Sequence, residues 1–124
     1  AYIVESDFSK IDGFRLMGRL LDLPEPPTCV ICINDTVTPG ALRQINMRGL
    51  KIPEDISVVA IGSSDILDLF QPPLTTVKID VIKIGQTAAQ MLIQLIETGS
   101  CPDRHVVIPS EVIIRDSTCA VRGE

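Results

Sequence analysis

Apolar positions along this chain alternate between a helical and an extended period. Ile11, Phe14, Met17 with Gly18, and Leu21 recur at helical spacing over residues 11–22, and Pro24, Pro26 and Pro27 then stop the pattern. Residues 28–33, TCVICI, read as a buried strand, after which Val37, Ala41, Leu42 and Ile45 mark one face of a helix ending near Gly49. The turn at residues 52–55 feeds ISVVAIG, an unbroken apolar run suited to a central parallel strand covered on both faces. Strand, helix and strand form a βαβ unit, which predicts an α/β fold built on a parallel sheet.

Beyond Gly62 the order breaks. SSDILDLFQPP is irregular and carries apolar residues that read as exposed, and the β-branched run LTTVKID then predicts another strand. The longest helix is predicted over residues 81–98, with Val81, Ile84, Gly85, Ala88, Leu92, Leu95 and Ile96 on one side and Gly99 as its C-terminal cap. Its only charges are Lys83 and Glu97, so more than one face is expected to be covered, by its own sheet or by a part outside this chain. Short strands are expected at 105–108 and 111–115 around Pro109, with a loose tail after Asp116.

Composition narrows the function. A chain of 124 residues holds one lobe, and its aliphatic core with 3% aromatics and no Trp suits an α/β layer better than a carbohydrate platform. A net charge of −5 leaves no basic surplus for phosphates, so this segment by itself is not expected to hold nucleic acid. The longest uncharged run, residues 84–96, is too short to span a bilayer, and no signal-peptide pattern is present. A start at Ala1 suggests a piece of a longer protein. Cys29 and Cys32 have CxxC spacing, but a separation of three on a strand puts them on opposite faces. Burial as small hydrophobes is expected for the four cysteines, and with it a cytoplasmic location.

The polar pair Asn34 and Asp35 follows the first strand directly, where ligands of open α/β sheets bind. Either residue could instead cap the next helix. Pro39 bears on the choice, because a proline fits only in the first helical turn; with Thr36 as the cap, Asn34 is released to face a crevice. Its amide could then both donate to and accept from a polar ligand. No acid, base or nucleophile set emerges: His105 is the single histidine and reads as an ordinary surface residue. Gly62 and Ser63 make only a weak anion-holding loop, and neither a metal nor a cofactor is expected.

Taken together, NDTVTPGALRQINMRGLKIPEDISVVAIG and PPLTTVKIDVIKIGQTAAQMLIQLIE resemble the effector-binding domain of LacI/GalR-type transcriptional regulators, and ESDFSKIDGF resembles the strand, aromatic residue and helix ahead of it. The resemblance implies a parallel-sheet, three-layer lobe of a periplasmic-binding-protein type I fold, present as a C-terminal fragment. Residues 1–78 and 111–115 would build mainly the C-terminal lobe, and residues 81–108 would visit the N-terminal lobe. Operator DNA would be bound through a helix-turn-helix outside this chain. By the same resemblance Phe8 stacks on a small-molecule effector and Asn34 hydrogen-bonds it.

Departures from the family qualify that picture. Where an acidic ligand-binding residue is common, two positions after a strand glycine, this sequence has Ala60, Ile61 and Gly62, so the carboxylate clamp is missing. Two further effector-binding positions fall on Ile79 and Val81, both apolar. An effector with a less polar face than a simple sugar is therefore expected. The resemblance also implies a homodimer through Pro39, Leu69 and the adjoining Phe70, although ILDLF could equally form a local lid or core plug. A solute receptor of a transport system is the competing class, and an enzyme on the same scaffold a distant third.

Overall fold

Ser9 opens the first helix, α1 (Lys10–Leu21), by accepting the Asp12 N–H on its side-chain oxygen at 3.0 Å, which satisfies one of the donors a helix start leaves over. In the computed structural model, which describes residues 2–62, 65–101 and 103–120, three further segments follow as the βαβ pattern predicts: β1 (Cys29–Cys32), α2 (Val37–Met47) and β2 (Ser57–Gly62). A 3-10 turn at Asp65–Leu69 leads to β3 (Thr75–Lys78), α3 (Val81–Thr98) and β4 (Glu111–Ile113). The sheet runs β1-β2-β3-β4, parallel across the first three strands and antiparallel at β4.

One core holds the lobe together. Met17 and Leu20 of α1, Ala41 and Ile45 of α2, and Cys32, Val58 and Ala60 of the sheet share one cluster, completed by Ile56, Leu67 and Leu74. Both helices therefore lie on one face of the sheet. The described residues supply this helical layer and the sheet, and none of the helices that would form a third layer on the other face. Central β2 is buried or half-buried throughout, as its apolar run predicts. By contrast β1 is an edge: Ile31 is 64% exposed, so the expectation of a buried strand at 28–33 is corrected.

Other corrections share a physical cause, the absence of a neighbour to pair with or pack against. Residues 2–8 form no strand. Residues 105–108 form none either, and only Glu111–Ile113 pairs with β3. Helix α3 keeps its predicted ends, with Asp80 accepting the Lys83 N–H at 2.9 Å and Gly99 closing it at φ 72°. No residue of α3 is buried, so its own sheet does not cover it.

The tail is not loose as far as it is described. Ser117 is fully buried between the N-terminal ends of β2 and β3. Its Oγ donates to the Val58 carbonyl at 2.6 Å and accepts the Thr75 N–H at 2.8 Å, while its own carbonyl accepts the Val58 N–H at 2.8 Å. Arg115 adds bonds to the Leu74 carbonyl and Thr76 Oγ1 and a 2.6 Å ion pair with Asp68. One short polar stretch thus satisfies backbone groups that the β2–β3 ladder leaves over at its start.

Candidate functional site

Two glycines bring the N-termini of α1 and α2 together. A Cβ on Gly13 would overlap the Val37 carbonyl oxygen, and one on Gly40 would overlap the Lys10 carbonyl oxygen and lie 2.7 Å from the Phe14 nitrogen. The helix starts therefore touch backbone to backbone. This approach sets the residues ahead of α1 beside those ahead of α2, at the carboxyl ends of the strands.

Phe8 stands just before α1 with φ +66°, a left-handed conformation that is rare for a bulky side chain, and it is 55% exposed. Side-chain oxygens hold it there. Ser6 Oγ accepts the Phe8 N–H at 3.0 Å, Asp7 Oδ1 accepts the Ser9 N–H at 2.8 Å, and Asp12 Oδ2 accepts the Asp7 N–H at 2.9 Å. Arg15 closes on the other Asp12 oxygen, with its Nε at 3.0 Å. The Asp7 N–H, followed by Arg15, holds the Asp12 carboxyl below its ordinary value. Because the folded value is depressed, this contribution is present above the ordinary carboxylate pKa and lost as pH falls through the lower folded one. Amide protection at Asp7 and Phe8, taken relative to each amide's intrinsic exchange rate, should therefore fall in acid, and Asp12→Asn should show the lower protection already at neutral pH. Protection in the variant that matches wild type at neutral pH would contradict this clamp.

Asn34 is not released from capping. Its Oδ1 accepts the N–H groups of Thr36 at 3.0 Å and Val37 at 2.7 Å, an Asx turn that starts α2. Thr36 occupies the cap position but makes no side-chain cap bond, and Pro39 falls in the first turn as expected. Asn34 can thus offer a ligand its Nδ2 donors, not both a donor and an acceptor. The bond geometry that decides this lies in two backbone N–H directions, which residue spacing does not reveal.

Gly62 ends β2, and a Cβ there would overlap Asp35 Oδ1. The carboxylate missing from the β2 end in sequence thus has a counterpart in space, supplied by the β1–α2 turn. Ile79 is tied to the same end by its N–H to the Gly62 carbonyl at 3.1 Å and is half-buried, while Val81 is exposed at the start of α3. Phe8, Asn34, Gly62, Ile79 and Val81 all fall at this end of the sheet; Ser63, paired with Gly62 in the anion-loop reading, lies outside the described residues. A cavity of about 780 Å³ between residues 2–8 and the open edge of β1 includes Phe8 but none of the other four, and is the gap beside an edge strand.

Of the remaining positions, Leu69 is 78% exposed, Pro39 is half-buried, and Phe70 packs partly against the core while Leu67 fills it. The expected burial of the cysteines holds for Cys32 alone: Cys29 and Cys119 are exposed and Cys101 half-buried. Cys29 opens on the sheet face that no described helix covers, and its opposition to Cys32 across the strand leaves no CxxC chelate. Among the described residues no group of three or more His, Cys, Asp or Glu could hold a metal ion, and no helix is long and apolar enough to cross a membrane.

Comparison with known proteins places this geometry. The model of the periplasmic binding protein-like domain matches residues 2–118. The HTH-type transcriptional repressor CytR of Escherichia coli K12 is 38% identical over 120 residues, covering 97% of this chain and 35% of that protein. A LacI family transcriptional regulator from Enterococcus faecalis V583 with bound ribose superposes at a TM-score of 0.82 and 29% identity, over 96% of this chain and 44% of that one. The lac repressor dimer bound to operator and the anti-inducer ONPF gives 0.79 and 32%, over 94% and 40%. The chain spans about a third of the length of the curated relatives it matches. With its open α/β sheet, glycine-paired helix starts and polar turn at the strand ends, the chain belongs to the periplasmic binding protein-like domain family, and the relatives it resembles here are named as transcriptional repressors and regulators.

Proposed function

We propose that this chain is the C-terminal part of the effector-binding domain of a cytoplasmic, dimeric DNA-binding regulator, a repressor, and that its strand-end crevice takes the effector. The observation that carries the reading is Phe8, an exposed aromatic held in a left-handed conformation by a network of side-chain oxygens. Such strain persists where the surroundings over-determine it, and it clusters at ligand sites. The effector is sugar-like but carries a less polar face: Phe8, Ile79 and Val81 offer apolar contact, and Asn34 Nδ2 and the Asp35 carboxylate offer donors and an acceptor. Residues 1–78 and 111–115 belong mainly to one lobe and residues 81–108 to the other, a division supported by the absence of any buried residue on α3.

In this reading effector affinity differs between two lobe arrangements, and the dimer passes the difference to DNA-binding headpieces outside this chain. The relatives' names as repressors, and the lac repressor's capture on operator, support this over a transport receptor and over an enzyme. The longer protein should bind an operator and change its affinity for it when effector is added. Phe8→Ala should raise the effector concentration needed by about tenfold, the loss of one stacked aromatic. An operator response that needs no more effector in the variant would remove Phe8 from the site, and a longer protein without DNA affinity would remove the regulator.

Dimerisation is proposed through the exposed Leu69 with Pro39, Phe70 being turned partly toward the core. Leu69→Asp should halve the mass of the longer protein in light scattering at micromolar concentration. An unchanged mass would place the interface elsewhere.

A further inference from the structure

Asn34 and Gly62 follow the same rung of the sheet. Cys32 pairs with Ala60 in the parallel ladder, and Asn34 and Gly62 each lie two residues further along their strands. Asp35 comes next in the β1–α2 turn, and its side chain reaches across to the end of β2. A Cβ built on Gly62 would lie 1.7 Å from Asp35 Oδ1, 2.6 Å from its Cγ and 3.0 Å from its Oδ2. The carboxylate thus surrounds the point at which a side chain on residue 62 would begin, closer than unbonded atoms can stand.

Both backbones at this meeting point are tied down. Asn34 Oδ1 accepts the Thr36 and Val37 N–H groups, and the Asn34 carbonyl accepts Thr38 Oγ1 at 2.7 Å and the Thr38 N–H at 3.3 Å, so the turn that carries Asp35 is fixed. Gly62 pairs with Lys78 of β3, and its carbonyl accepts the Ile79 N–H at 3.1 Å. What can give way is the Asp35 side chain, which turns about its own torsions. Any side chain added at residue 62 therefore displaces the Asp35 carboxylate rather than the strand.

We propose that Gly62 is a specificity-determining residue of the effector crevice: its missing side chain admits the Asp35 carboxylate to the end of β2, where that carboxylate accepts a hydroxyl hydrogen of the effector. This deepens the effector reading given above and rests on it. An acid on residue 62 and the acid on residue 35 are alternatives for one place, because the Cβ of the first would overlap an oxygen of the second. The two oxygens of a carboxylate have acceptor sites for several donors, and Asp35 is half-buried rather than enclosed, so the group that fills the Gly62 space also has capacity for a ligand. Donor and acceptor then come from consecutive residues of one turn, Asn34 through Nδ2 and Asp35 through its carboxylate. On the β3 side Ile79 and Val81 are apolar. The arrangement suits a ring that carries neighbouring hydroxyls along one edge and an apolar group along the other.

The test is calorimetric titration of the longer protein with a panel of phenyl pentosides and hexosides, and of its variants with the tightest binder. Gly62→Ala should weaken binding about tenfold, the loss of one hydrogen bond to a charged group, and Asp35→Ala should do the same. The double variant Gly62→Ala/Asp35→Ala should bind no more weakly than either single one, since the acid has already left its place. Gly62→Asp/Asp35→Ala, which carries the acid on the other strand, should bind more tightly than Asp35→Ala. Additive losses, a relocated acid that recovers nothing, or Gly62→Ala and Asp35→Ala proteins that bind like wild type while Phe8→Ala is weakened would overturn the proposal and leave the effector reading standing. Binding unchanged in Phe8→Ala as well, or no binding of any glycoside, would overturn that reading and the proposal with it. Denaturant midpoints without ligand give an independent arm: Gly62→Ala should destabilise wild type more than it does the Asp35→Ala protein, and equal costs would show that the two places do not overlap.

Discussion

Gly40→Ala is expected to destabilise the domain by about 3 kcal/mol, at the upper end for overpacking a close-packed contact. The added Cβ would meet the Lys10 carbonyl oxygen and the Phe14 nitrogen, which are backbone and cannot swing aside as a side-chain tip could. Relief requires α1 to move off α2. That shift would carry the turn ahead of α1, and Phe8 with it, away from the start of α2. Gly13→Ala presses on the Val37 carbonyl from the other helix and should behave alike. Gly85→Ala on α3, where nothing lies within 4 Å, should be neutral or slightly stabilising and serves as the control. Denaturant midpoints measure all three, and a Gly40 variant as stable as the Gly85 variant would show that the helix starts are not in contact.

Ser117→Ala is expected to cost about 3 kcal/mol, since one hydroxyl serves two backbone groups and its removal leaves both without that partner in a buried place. Its Oγ donates to the Val58 carbonyl and accepts the Thr75 N–H, and the residue is fully buried. Water cannot easily substitute at a fully buried position, and Ala leaves a small void besides. Hydrogen exchange should localise the loss to the start of β2 and β3 and spare α1 and α2. A change below about 0.5 kcal/mol, the scale of an ordinary surface substitution, would mean that the tail is not docked in solution.

These two sites show where the sequence was legible. Helix α3 could be read to its ends because the apolar stripe and Gly99 are local signals. The βαβ core was legible for the same reason, each strand being a short apolar run bounded by turn residues. Ser117 was not, because a serine in RDSTC reads as surface until β2 and β3 are known to converge on it. Likewise the residues at 2–8 and 105–108 have strand-like composition but no neighbouring strand among the described residues to pair with. Exposure of Cys29 follows from its place on the sheet face without a described helical layer, a fact of the fold rather than of the segment TCVICI.

At the proposed crevice the sequence misread part of the local geometry. Asn34, Gly62 and Ile79 stand at the carboxyl ends of β1, β2 and β3, Phe8 just ahead of α1 and Val81 at the start of α3. Asn34 was expected to be released once Thr36 took the cap position, yet its Oδ1 holds two N–H groups of the turn. Loss of an acidic residue at Gly62 looked like loss of a carboxylate, until Asp35 proved to fill the space a side chain there would need. Both misreadings concern contacts between segments, which no local pattern records.

The central claim is that an effector binds at the strand-end crevice through Phe8 and Asn34. Its most direct test is calorimetric titration of the longer protein with a glycoside bearing a flat apolar group, in wild type and in the Phe8→Ala/Asn34→Ala double variant. Binding in wild type, weakened about a hundredfold in the double variant whose melting curve stays cooperative, is the predicted result, about 3 kcal/mol for a lost stack and a lost hydrogen-bond donor. Equal affinity in the two proteins would contradict the account and move the effector away from this end of the sheet.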